Sequence, residues 1–93
     1  MANAIVTFKI MPLNPEIDLE SIKNQATAII KEAGAKGDLA HEMKPLAFGL
    51  KELDVLAMFE VKDGNDFDAI VEKINALEGV QSAEIAKMDL AMG

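Results

Sequence analysis

Leu53-Asp54-Val55-Leu56-Ala57-Met58-Phe59-Glu60-Val61 decides how the rest of the chain is read. Leu53, Val55, Ala57, Phe59 and Val61 share one parity, while Asp54 and Glu60 fall on the other. A period of two with apolar residues on one side marks a strand with one buried face. Downstream, Lys62-Asp63-Gly64-Asn65 reads as a turn, with Asn65 as N-cap. Asp66 and Asp68 then fall in a first helical turn, where the helix dipole favours negative charge. Phe67, Ile70, Val71, Ile74 and Leu77 form the apolar stripe of a helix over about 66–77, which Gly79 closes. Val80 to Leu90 reads as a closing strand.

Upstream of the central strand, Pro45 and Gly49 punctuate the chain. Residues 35–44 carry little pattern beyond Leu39 and Met43, and a strand near 37–44 is the expectation. Before it, Leu19, Ile22, Ala26, Ile29, Ile30 and Ala33 recur at helical spacing. They predict a helix over about 18–33, capped by Asp18 and stopped at Gly34. Ala4 to Met11 is a strand rich in β-branched and aromatic residues, ended by Pro12 and Pro15. The order β-α-β-β-α-β is the split pattern of the ferredoxin-like sandwich. The fold class is α+β: a four-stranded antiparallel sheet with two helices on one face, leaving the other face open to a partner or ligand. The order by itself says nothing of function.

Ninety-three residues, 51% of them hydrophobic, suit one domain with a modest core. The chain has no Cys, which removes disulfides, zinc-thiolate sites and cysteine nucleophiles. Its nine basic residues are all Lys, and with 16 acids the net charge is −7. Phosphate contacts need positive surface, so direct nucleic-acid binding is not expected. Residues 45–93 carry 4 Lys and 10 acids, net −6. A partner of that half is therefore expected to be basic. No apolar run is long enough to span a membrane and no signal peptide is evident, which gives a cytoplasmic expectation.

Candidate chemistry is thin. Asp63, Asp66, Asp68 and Glu72 form the densest acidic cluster and read as helix capping and a solvated face. A calcium loop fails there, because its sixth position is Asp68 and its twelfth is Ile74. His41 is the single imidazole, and without Cys it reads as a surface or structural residue. Neither Ser21 nor Ser82 lies in a nucleophile-elbow context. No glycine-rich phosphate loop exists. Phe8 and Phe59 fit the core, not an RNA-stacking face. Among the methionines, Met58 reads as core, while Met88 and Met92 suit either packing or an exposed contact. No catalytic residue, metal ligand or cofactor is expected.

One segment resists explanation as packing: Lys44-Pro45-Leu46-Ala47-Phe48-Gly49-Leu50-Lys51-Glu52-Leu53. Phe48 beside Gly49, between two central strands, either anchors an external contact or folds back over the core. Here the sequence resembles the guanine-nucleotide exchange domain of the elongation factor 1-beta family, in its small free-standing archaeal form. Met11-Pro12, Pro15, the Asp18-Leu19-Glu20 helix start, Glu78-Gly79-Val80 and the closing Val80-Gln81-Ser82-Ala83-Glu84-Ile85 agree with it. The resemblance implies one exchange domain over 1–93 that binds elongation factor 1-alpha, a GTPase, and speeds GDP release without covalent chemistry. It implies partner contacts at Phe48, Gly49, Leu50 and Lys51. A lysine that the best-described eukaryotic members of the family carry near the C-terminus falls at Leu90 here, beside Asp89. Lys87, Met88 and Leu90 are the expected contacts at that end, with apolar insertion by Phe48 and Leu90 or Met88 in place of a cation. The alternative is a small-molecule-sensing regulatory module of the amino-acid-binding type. Such modules are usually fused to an enzyme, and this chain, taken as complete from its Met, carries none.

Overall fold

The computed structural model describes residues 3–60 and 66–91, the last two by backbone alone. Val61, the expected turn Lys62–Asn65 with its Asn65 cap, and Met92 lie outside the described residues. The elements run β1 (Asn3–Pro12), α1 (Leu19–Glu32), β2 (Lys36–Pro45), β3 (Lys51–Glu60), α2 (Phe67–Asn75) and β4 (Val80–Ala91). They form a four-stranded sheet in the order β2-β3-β1-β4, with every neighbouring pair antiparallel. This is the ferredoxin-like arrangement.

The two most apolar strands are the two central ones, where a strand has neighbours on both edges and a helix layer on one face. Val6, Phe8 and Ile10 of β1 and Leu53, Val55, Ala57 and Phe59 of β3 are buried. They face Leu19, Ile22, Ala26 and Ile30 of α1 and Ile70 and Ile74 of α2. Phe8, Phe59 and Phe67 stack edge to face in a row, with ring centroids 6.4 and 5.1 Å apart. That geometry suits the ring quadrupoles. Asp18 caps α1 as expected, its side chain accepting from the Glu20 N–H. At α2 the cap is Asp66, whose carboxylate accepts from the Ala69 N–H at 3.0 Å, so Asp66 stands before the helix instead of within its first turn. Ala33 is exposed because it is the C-cap of α1, not a member of its buried stripe.

The weak signal of β2 has a physical origin. It is an edge strand whose residues are exposed except for half-buried Leu39, so no core face imprints alternation on it. Met58 is half-buried and stands opposite Lys36 on the face away from the helices. The core expectation for Met58 is therefore corrected: its parity is that of Asp54 and Glu60.

β4 departs most from simple alternation. Its register against β1 shifts between Thr7 and Phe8 and between Met11 and Pro12, which leaves Ala86 and Gln81 as extra residues. Each bulge exchanges the faces of the residues beyond it. Asn75 ties α2 to this strand, donating to the Ala83 carbonyl at 3.1 Å and accepting from the Ala83 N–H at 2.8 Å.

Gly79 joins α2 to β4 at φ +91, and a Cβ there would meet Ile17 Cγ2 at 3.1 Å and Ile22 Cδ1 at 3.7 Å. Left-handed strain and crowding of the core add, so Gly79→Ala is expected to cost about 2–3 kcal/mol in urea unfolding. Gly37→Ala is the comparison: its φ is +65 but nothing lies within 4 Å, and strain alone should cost about 1 kcal/mol.

Candidate partner interface

The β2–β3 connection is a tight turn. The Leu50 N–H donates to the Ala47 carbonyl at 3.3 Å, and the Leu46 N–H donates to the Leu50 carbonyl at 2.7 Å. Phe48 has φ 61 and ψ 28, and Gly49 follows at φ 78. Two successive left-handed residues at a hairpin tip have the pattern of a type I′ turn. Glycine suits the second position. The first ordinarily takes Asn, Asp or Gly, because a bulky side chain at positive φ is strained. Phe48 sits there with 94% of its surface exposed. An aromatic ring held in solvent on a strained backbone stabilises nothing in this fold, and the alternative in which it covers the core is excluded.

Exposed apolar side chains lie near the turn as well. Leu13, Met43 and Leu46 are exposed. A cleft of about 270 Å³ lies between the turn and the β1–α1 connection, and its lining is mixed, with polar Asn14, Asp18, Glu20 and Lys51 beside apolar Pro15 and Met43. Leu50 is half-buried and Lys51 exposed. Sequence reasoning missed Leu13. Its signal was an apolar residue in Leu13-Asn14-Pro15, just past the end of β1 at Pro12 and before α1, where no strand or helix face calls for one.

The residues expected near the C-terminus lie elsewhere. Lys87 stands opposite Thr7, Met88 opposite Val6 and Leu90 opposite Ala4, near the end of β4. Phe48 projects beyond the other end of the sheet, past Leu53, which stands opposite Ile10. Ile10 and Ala4 alone are six residues apart along β1, about 20 Å of strand. The structure therefore brings Phe48, Gly49, Leu50 and Lys51 together and separates them from Lys87, Met88 and Leu90. Phe48 does not share a surface with Met88 or Leu90, so insertion of both at one point does not follow from this geometry. The bulge at Ala86 turns Lys87 to the face away from the helices, where it pairs with Asp89 at 3.4 Å. Met88 takes the helix-side parity, opposite buried Val6, and is exposed on this edge strand.

His41 is on β2 and reaches α1, its Nε2 lying 2.9 Å from the Thr27 hydroxyl. Partial burial, then Lys23 and Lys31, hold its pKa below the ordinary value against the opposing charge of Glu20. It pins an edge strand to a helix. Among the described residues, no group of three or more His, Asp or Glu side chains gathers as a metal site. No described helix is long and apolar enough to cross a membrane.

The chain is similar to known proteins along most of its length. Residues 5–90 match the family described as the EF-1 guanine nucleotide exchange domain. Over 90 residues the chain is 40% identical to the elongation factor 1-beta of Methanococcus maripaludis strain C7, covering 97% of this chain and 99% of that one. It is 36% identical over 84 residues to the elongation factor 1-beta of Pyrococcus abyssi, covering 89% of each. Among solved structures, a chain described as BlrP1 BLUF superposes with a TM-score of 0.57 at 10% identity, over all of this chain and 57% of that one. That last likeness shows the fold alone.

Proposed function

The chain belongs to the family of the EF-1 guanine nucleotide exchange domain, and from that premise we propose how it works. It is a guanine-nucleotide exchange factor of translation elongation, promoting GDP release and GTP reloading. The GTPase it acts on is elongation factor 1-alpha, in the cytoplasm, and residues 1–93 act as one exchange domain without covalent chemistry. The amino-acid-sensing alternative is not favoured by the family match.

A GTPase holds its nucleotide through a phosphate loop and Mg²⁺. A protein that binds the nucleotide-poor form more tightly shifts the population toward that form. Each tenfold loss of GDP affinity takes about 1.4 kcal/mol of differential binding, which a small aromatic anchor can supply. The observation that carries this reading is Phe48, exposed and at positive φ on a hairpin tip. Phe48, Gly49, Leu50 and Lys51 contact the GTPase at one end of the sheet. Lys87, Met88 and Leu90 make a second contact at the other. With Leu90 where the best-described eukaryotic members carry a lysine, direct electrostatic competition with Mg²⁺ falls to Lys87 or does not occur.

The test is release of a fluorescent GDP analogue from elongation factor 1-alpha, with and without this protein, at low and high Mg²⁺. Catalytic acceleration at both concentrations is the expected result. Unchanged release at micromolar protein would overturn the reading.

A further inference from the structure

The face of the sheet away from the helices carries one group that packing does not explain. Asp54 of β3 is only 5% exposed. Its Oδ2 pairs with Lys44 Nζ at 3.0 Å, yet its Oδ1 is buried with no hydrogen-bond partner. A buried acceptor left empty is costly. Two residues along the same strand, and so on the same face, is Glu52, with a side chain 12% exposed and Oε1 at 3.6 Å from Lys9 Nζ. Lys9 is shared with Glu84 of β4 at 3.9 Å. Glu42 of β2 stands opposite Asp54, and Lys44 opposite Glu52. The charged groups facing the pair are thus Lys44 and Glu42 from β2, Lys9 from β1 and Glu84 from β4.

We infer that Glu52 and Asp54 share one proton, donated by the Glu52 carboxyl to the empty Asp54 oxygen, and that this pair holds Lys44 and the β2–β3 hairpin in the form that presents Phe48. A proton is the cation that fits an acceptor closed to solvent. The site is one step below the turn, since Lys44 and Glu52 flank the Pro45–Lys51 pair. The contact with Asp54, then burial, then the Asp54 charge lift Glu52 above its ordinary pKa against the pull of Lys9. Lys44 is raised in turn by its own hydrogen bond to Asp54. A carboxyl raised on folding contributes stability in full below its unfolded pKa, and that contribution is lost as pH rises through the folded value. Asp54 and Glu52 are positioning residues; they act on the partner through the turn. The functional half of this inference rests on the exchange reading, and the proton-sharing half does not.

Two measurements test it. In a carboxyl carbon-13 titration, Glu52 should titrate above an ordinary glutamate and return to the ordinary range in Asp54→Asn. An ordinary midpoint in the parent chain overturns the pair. In melting experiments, Glu52→Gln, whose amide donates at every pH, should match the parent near pH 4. By pH 8 it should melt a few degrees higher, the shift expected of a small domain that gains one hydrogen bond. A pH-independent difference also overturns it. For positioning, the concentration giving half-maximal GDP release is compared. It should rise about fivefold in Asp54→Asn with the maximal rate retained, and the ratio of the parent to Glu52→Gln should grow from pH 5.5 to 8. A parental half-maximal concentration in folded Asp54→Asn, or a flat ratio, overturns the positioning role. Absence of release by the parent chain overturns the exchange reading and leaves the titration result standing.

Discussion

Phe48→Ala is expected to slow GDP release from elongation factor 1-alpha about 30-fold or more at subsaturating protein, because loss of an anchoring aromatic costs about 2 kcal/mol or more of partner binding. It is expected to leave the fold as stable as before. The ring is 94% exposed, forms no part of the core cluster, and stacks on none of Phe8, Phe59 and Phe67. Phe48→Gly sharpens the test. At φ 61 glycine relieves the left-handed strain, so this variant should be up to about 1 kcal/mol more stable while losing the same exchange activity. A variant that gains stability and loses function separates the interface from the scaffold. Release at the parental rate in both variants would show that the turn is not the contact.

Phe8→Ala should give the largest loss of stability. Phe8 is fully buried at the centre of β1, flanked by β3 and β4 and packed under the helices. Truncating a buried Phe costs about 3–5 kcal/mol, against a total of about 5–14 kcal/mol for a domain of this length. The melting temperature should fall by about 15–30 °C. Thr7→Ala, one residue away on the other face, should cost under about 1 kcal/mol. Equal losses at Thr7 and Phe8 would mean that the sheet faces are assigned wrongly.

The core position of Phe8 was legible in the sequence, as was the alternation of β3. A central strand has one buried face along its whole length, and burial leaves a period of two in the residue types. The helix stripes through Ile22, Ala26 and Ile30 and through Ile70 and Ile74 were legible for the same reason. The Asp18 cap was readable because a carboxylate before an apolar stripe has one obvious acceptor role. β2 was faint because an edge strand has no buried face to record. The candidate turn was legible as an anomaly, Phe beside Gly between strands. Whether its ring pointed to core or solvent was not, because both outcomes are compatible with the same residues.

The sequence by itself determined the element order, the helix-side core of β1 and β3 and the likeness of the Phe48 turn to an exchange-domain contact, since each depends on neighbours within a few residues. Only the tertiary structure decided three further points. The left-handed backbone at Phe48 is closed by bonds between Leu46, Ala47 and Leu50 and places the ring in solvent. The bulges at Gln81 and Ala86 arise from pairing with β1, a strand some seventy residues earlier, and they set which face Lys87 and Met88 occupy. The buried Asp54 oxygen depends on the position of Asp54 in a central strand, between Lys9 of β1 and Glu42 of β2. The bulges and the burial of Asp54 are fixed by contacts between segments distant in the chain, which no local pattern of residues records; the Phe48 turn is closed within five residues, and what the residues alone left open there was the direction of the ring.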